Sequence, residues 1–188
     1  MSQDRFTTIA TPLHGLVVLE RRSLADERGF FERMFCAETF AQWGLSTPLA
    51  QINQSFTKSK AVVRGMHFQF PPHAETKVVS CLGGEVFDVA VDIRRGSSTY
   101  LQWHGEVLSA DNHRSMIIPQ GFAHGFQTLS ESCSLLYLHT APYVKEAESG
   151  LHALDPSLNI AWPMPVRELS ARDAAWPYLT NEFQGLVL

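Results

Sequence analysis

Residues 62–94, VVRGMHFQFPPHAETKVVSCLGGEVFDVAVDIR, hold most of the chain's reactive polar side chains within three strand-like runs. Two-residue alternation along a strand puts His67 and Gln69 on one face, and Lys77, Val79 and Cys81 together on a face of the next run. Further on, Leu135, Tyr137 and His139 share a face. Where such faces converge, an imidazole, an ammonium and a phenol meet in one cavity, a set suited to moving protons and to meeting developing negative charge. Taken singly these residues have plainer readings: His67 as a hydrogen-bonded core histidine, Lys77 as a solvated edge residue, Tyr137 as a phenol packed in the core. In residues 85–94, EVFDVAVDIR, one face carries Phe87, Val89, Val91 and Ile93 and must be buried. The other carries Val86, Asp88, Ala90 and Asp92 and can line a cavity.

The elements that position these side chains are mostly strands. From Ala50 to Thr140 the runs AQINQSF, VVRGMHF, TKVVSCL, EVFDVAVDIR, TYLQWHGEVL, SMIIP, HGFQTL and SLLYLHT are separated by KSKA, FPPHAE, GG, RRGSS, SADNH, PQG and SESC. Turn signals at roughly 8–12 residue intervals predict an antiparallel sandwich or barrel, and a jelly roll is the expected architecture. Residues 13–20 and 29–35 are strand-like around a turn at Asp26–Gly29 and suggest a hairpin or an arm. Cys36–Trp43, closed by Gly44, is a short helix candidate, and Ser170 is placed to N-cap another through Ala175. The stretch from about 142 onward reads as a loop-rich tail.

With 188 residues, 45% hydrophobic and 18% charged, the chain can bury one sizeable core, and one domain over 1–188 is expected. A net charge of −4 and a pI near 6.0 provide no basic field for nucleic acid. No apolar run is long enough to span a membrane, and the first residues lack the layout of a signal peptide, so a cytoplasmic protein is expected. Cys36, Cys81 and Cys133 are widely spaced, without a C-x-x-C, and read as small core residues rather than ligands or disulfides.

The blocks DERGFF (26–31), QINQS (51–55), RGMHFQ (64–69), ETKVVSCLGGEVFDVAVDIRRGSSTY (75–100), IPQGFAHGFQTL (118–129), LLY (135–137), LDPSLNIAWP (154–163) and LSARD (169–173) resemble, in order, the dTDP-4-dehydrorhamnose 3,5-epimerase family. The resemblance covers nearly the whole chain. It implies a mainly β, cupin-like double-stranded β-helix, or jelly-roll barrel, with short peripheral helices. It further implies a homodimer with the N-terminal strands (about 1–35) at its interface, working without metal or other cofactor. The implied substrate is a nucleotide-diphosphate sugar, a 4-keto-6-deoxyhexose inverted at carbons 3 and/or 5.

By that resemblance His67 is the base, Asp173 its partner, Lys77 the stabiliser of the enolate and Tyr137 the acid on the opposite face. Arg28, Arg64 and Arg172 are implied for the diphosphate, whose oxygens suit planar guanidinium forks. Gln51, Asn53, His124, Tyr143 and Glu148 fall on ligand-contacting positions; Glu148 reads equally as a solvated loop acid. Strict alternation from His67 sets Arg64 on the opposite face, so the implied site requires a bulge at Gly65 or a place for Arg64 at the barrel mouth. Three positions depart from the family's pattern: Arg33 where a glutamate is common, Pro142 where an aromatic is, and Leu138 where a lysine is.

Two other readings stay open. IPQGFAH carries the P-x-G-x-x-H spacing of metal-binding cupins, with His67, His73 and Glu75 as conceivable companions, but His67-Phe68-Gln69 lacks the H-x-H of such sites. A sugar-binding cupin without activity is the second, although binding alone does not call for an acid and a base. A single-centre 3-epimerase, or action on another nucleotide sugar, is the alternative within the enzyme reading.

Overall fold

The computed structural model describes residues 5–188. Thirteen strands run in chain order: β1 Phe6–Ile9, β2 Val17–Arg21, β3 Leu24–Asp26, β4 Gly29–Phe31, β5 Gln51–Thr57, β6 Val63–Gln69, β7 Lys77–Gly83, β8 Glu85–Asp92, β9 Trp103–Ser109, β10 Arg114–Ile118, β11 Phe122–Thr128, β12 Cys133–His139 and β13 Glu148–Gly150. Two short helices, α1 Ala37–Ala41 and α2 Ala171–Ala174, lie outside them, and among the described residues no helix is long and apolar enough to cross a membrane.

The strands form a six-stranded sheet ordered β1-β2-β10-β7-β12-β5 and a five-stranded sheet ordered β13-β6-β11-β8-β9. Every pairing within them is antiparallel. Sequence neighbours repeatedly fall in opposite sheets, so the chain wraps back and forth as a jelly roll of cupin type.

Three apolar layers account for this arrangement. Val79, Met116 and Leu135 of the first sheet meet Val86, Ala90, Leu108, Phe122 and Phe126 of the second in the shared core. Outside the five-stranded sheet, Met66, Phe68, Val89 and Val91 are covered by Leu151, Leu158 and Leu186 of the C-terminal tail. Outside the six-stranded sheet, Leu19, Val78, Ile117 and Leu138 pack under Phe6, Phe40 and Leu45. Phe40, fully buried on α1, meets Phe6 and Trp43 edge-on at 5.0 and 5.3 Å, so this one side chain contributes roughly 2–3 kcal/mol of burial.

Both faces of β8 are therefore dry. The face carrying Asp88 and Asp92 does not open on a cavity: both carboxylates are buried, Asp92 receiving Arg94, Ser97 and Thr99 at the turn into β9. That turn also takes Thr99–Gln102 out of the expected strand, so β9 begins at Trp103. Residues 13–20 and 29–35 do not pair as a hairpin; β2 enters the large sheet between β1 and β10. The hairpin is the separate pair β3–β4, an arm over residues 24–31.

Candidate active site

β6 decides which side chains reach the interior. His67 pairs with His124 and Arg64 with Phe126, so three steps along β6 match two along β11. This bulge at Gly65 and Met66 shifts the alternation by one, placing Arg64 and His67 on the same inward face and turning Met66 out into the tail's core. Gly65 has φ +140°, and a Cβ there would lie 2.4 Å from the Gly125 Cα. A Cβ on Gly125 would in turn meet the Met66 sulfur at 2.5 Å. Only two facing glycines allow the strands to approach this closely.

The cleft between the sheets holds about 240 Å³. On its five-stranded wall stand His67 and Arg64 from β6 and His124 from β11; on its six-stranded wall stand Lys77, Tyr137 and His139 from β7 and β12. The imidazole and the phenol thus face the cleft from opposite walls. Asn53 and Ser55 of β5 extend the second wall, and Tyr143, Glu148 and Arg172 form a rim.

His67 Nε2 lies 2.6 Å from Asp173 Oδ1. Ser170 caps α2 by accepting from the Asp173 N–H at 3.0 Å, which fixes the carboxylate's helical turn beneath the ring. Arg172 Nη2 also approaches Nε2, at 3.4 Å. One nitrogen cannot donate to Asp173 and accept from Arg172, and the shorter, charge-assisted bond prevails. Nε2 then carries the proton and Nδ1 the free lone pair. Burial pushes the Asp173 carboxyl up, but the hydrogen bond and charge of His67, with Ser170, outweigh it and hold the group below the usual carboxylate range.

Tyr137 Oη and Ser55 Oγ are 3.0 Å apart. Burial drives the phenol's pKa well above its ordinary value, with Ser55 opposing and the Asp88 carboxylate adding, so the hydroxyl keeps its proton. Lys77 Nζ sits 3.0 Å from Glu75 Oε1, buried among polar partners rather than solvated at an edge. His124 Nε2 is 2.7 Å from the fully buried Asp88. Arg172 grips both Glu148 oxygens at 3.1 and 3.0 Å, and Tyr143 Oη donates to the same carboxylate at 2.9 Å.

The residues matched over 10–181 fit the model of the dTDP-4-dehydrorhamnose 3,5-epimerase family. The chain belongs to this family. It is 46% identical over 173 residues to the dTDP-4-dehydrorhamnose 3,5-epimerase of Salmonella typhimurium, covering 91% of this chain and 94% of that one. It is 39% identical to the dTDP-4-dehydrorhamnose 3-epimerase of Streptomyces niveus, over 86% of this chain and 78% of that one. Among solved structures, the dTDP-6-deoxy-D-glucose-3,5-epimerase of Legionella pneumophila in complex with dTDP-4-keto-L-rhamnose superposes with a TM-score of 0.90. That pair shares 40% identity over 97% of this chain and 99% of the other.

Within this epimerase-family fold, the structure brings together His67, Asp173, Lys77, Tyr137, Arg64, Asn53, His124, Tyr143, Glu148 and Arg172. Two expected ligand residues stand elsewhere. Gln51 does not line the cleft; its side-chain oxygen takes the Tyr143 N–H and so holds the rim. Arg28 lies on the β3–β4 arm, exposed and paired with Asp26 at 2.5 Å, away from this chain's own cleft. Glu148 is no free loop acid, being clamped by Arg172 and Tyr143. Of the departures, Leu138 faces the outer core and Pro142 offers its carbonyl to Gln69 at 3.2 Å, while Arg33 is exposed. The histidine of the metal-cupin spacing, His124, is paired with Asp88 at 2.7 Å, and among the described residues no three His, Cys, Asp or Glu side chains are grouped to hold a metal ion.

Ser55 is not a site residue on the sequence alone, His139 and Asp88 enter there only as members of a strand face, and Glu75 only as a conceivable metal companion. Ser55 stands two residues beyond Asn53 on the same strand face, His139 two beyond Tyr137, and Glu75 two before Lys77. Periodicity thus carried a signal for each. For Asp88 it pointed inward without showing that His124 lay opposite.

Proposed function

We propose that this chain epimerises a dTDP-linked 4-keto-6-deoxyhexose, taking dTDP-4-dehydro-6-deoxyglucose to dTDP-4-dehydrorhamnose by removing and returning protons at carbons 3 and 5. The observation that carries the reading is the His67–Asp173 dyad facing Tyr137 across the cleft from the opposite sheet. Inversion needs a base and an acid on different sides of the sugar plane.

His67 abstracts the proton beside the ketone, and Asp173 stabilises the imidazolium that forms. Lys77 meets the negative charge that develops on the ketone oxygen. Tyr137, kept protonated by burial, delivers a proton to the other face. Arg64 and Arg172 bind the diphosphate, while Asn53, His124, Tyr143 and Glu148 hold the sugar and nucleoside and Gln51 fixes the Tyr143 segment.

The same reading has residues 1–188 acting as one jelly-roll unit in a cytoplasmic homodimer, with the stretch up to about residue 35 at the interface; residues 1–4 lie outside the described part. Support comes from the arm, where Phe30 and Phe31 are each 63% exposed beside Arg28, and from Ile52 and Phe56 on the edge strand β5, 62% and 57% exposed. Arg28 then completes the partner's diphosphate site.

Proton NMR of dTDP-4-keto-6-deoxyglucose in deuterated water tests the reaction. Loss of the carbon-3 and carbon-5 signals is expected. Exchange at carbon 3 alone would establish a single-centre epimerase, and exchange at neither would overturn the reading.

A further inference from the structure

Lys77 is the most buried ammonium facing the cleft, and a buried cation persists only beside a partner that answers its charge. Glu75 provides one: Oε1 lies 3.0 Å from Lys77 Nζ, and Oε2 lies 2.8 Å from His139 Nδ1. His139 is the direct cross-strand partner of Lys77 between β12 and β7. Its ring also stacks on Tyr137, centroids 6.0 Å apart and planes 23° from parallel. One carboxylate thus receives a donor on each oxygen, and its second donor braces the phenol.

We infer that Glu75 and His139 are positioning residues for the reaction, Glu75 holding Lys77 aimed at the ketone oxygen, and His139 fixing Glu75 while bracing the Tyr137 ring. The inference rests on Lys77 being the group that meets the enolate. A carboxylate 3.0 Å away fixes the direction in which the ammonium points. The Nζ hydrogens not given to Glu75 remain for the ketone. With Nδ1 donating, Glu75 cannot rotate away from Lys77 without giving up a charge-assisted bond. Burial pushes the Glu75 carboxyl up, yet His139 and Lys77 outweigh that and keep it ionised, as this role requires.

The other charged or titratable groups facing Lys77 across the cleft are His67 and Arg64 from β6 and His124 from β11, with Tyr137 beside it on β12. Glu148 and Arg172 on the rim are paired to each other. Among the described residues, Glu75 is the one carboxylate within ion-pair reach of Lys77.

The test is the rate of carbon-bound deuterium exchange, separated into kcat and KM, in the purified full-length protein. Glu75→Gln is expected to lower kcat roughly tenfold with KM little changed, because the ammonium loses its aim. His139→Ala should lower kcat by less, and His139→Asn, whose amide can stand where Nδ1–H stood, should restore it. In a Lys77→Met background Glu75→Gln should add nothing. An unchanged kcat in a folded Glu75→Gln protein, or a Glu75→Gln loss that adds in full to that of Lys77→Met, would overturn the inference. Absence of exchange in the unmodified protein would instead overturn the proposed function beneath it.

Discussion

His67 and Tyr137 differ in what their removal should reveal. The first carries a lone pair whose direction is set by a 2.6 Å bond to Asp173, and the second keeps its proton because burial forbids the phenolate. His67→Ala should abolish exchange at the sugar carbons, since it removes the imidazole that Asp173 holds at 2.6 Å with its second nitrogen turned to the substrate. Tyr137→Phe should keep exchange on the His67 face yet lose the inverted product, by about 10²–10⁴-fold for a single positioned acid. NMR of one sample reads both quantities. Normal exchange in His67→Ala would show that the base is wrongly assigned.

Two local features carry the dyad and the diphosphate cation. Without the bulge at Gly65, Arg64 would point into the tail's core, where Met66 now lies, and a buried guanidinium there would be unanswered. Gly65→Ala should therefore cost about 2–4 kcal/mol of stability, from the positive φ and the 2.4 Å contact with Gly125, and raise KM in whatever protein folds. Thermal melting with steady-state kinetics checks both. Ser170→Ala removes the cap that orients Asp173 and should cost about 1 kcal/mol while lowering kcat at unchanged KM. A loss of stability with no loss of kcat would mean that Asp173 is held by His67 alone.

The arm and the edge strand concern the whole molecule. Arg28 sits on an exposed hairpin with two exposed phenylalanines and takes no part in its own chain's cleft. Mixing Arg28→Ala with His67→Ala subunits should therefore restore activity, because a heterodimer with arms exchanged has one complete site. Arms acting on their own chains would leave both sites defective and the mixture inactive. Sedimentation at assay concentration should find a dimer, and a fully active monomer would defeat the arrangement.

Much of this was legible in one dimension. Turn spacing predicted eight strands from β5 to β12, alternation predicted which neighbours share a face with His67, Lys77 and Tyr137, and the capping serine predicted the helix behind Ser170. The functional roles came from resemblance, which the family match bears out for the chain as a whole. Alternation states which residues share a face; it does not state which faces meet. That depends on the apolar layers, whose joint burial sets β7 between β10 and β12 and β6 beside β11 rather than beside sequence neighbours. Only this tertiary closure could bring Asp173 to His67 across 106 residues, and His139 to Glu75 across 64. It also decided parity at Arg64, because a bulge exists only in relation to the strand opposite, and Gly125 had to lie there for Gly65 to permit it.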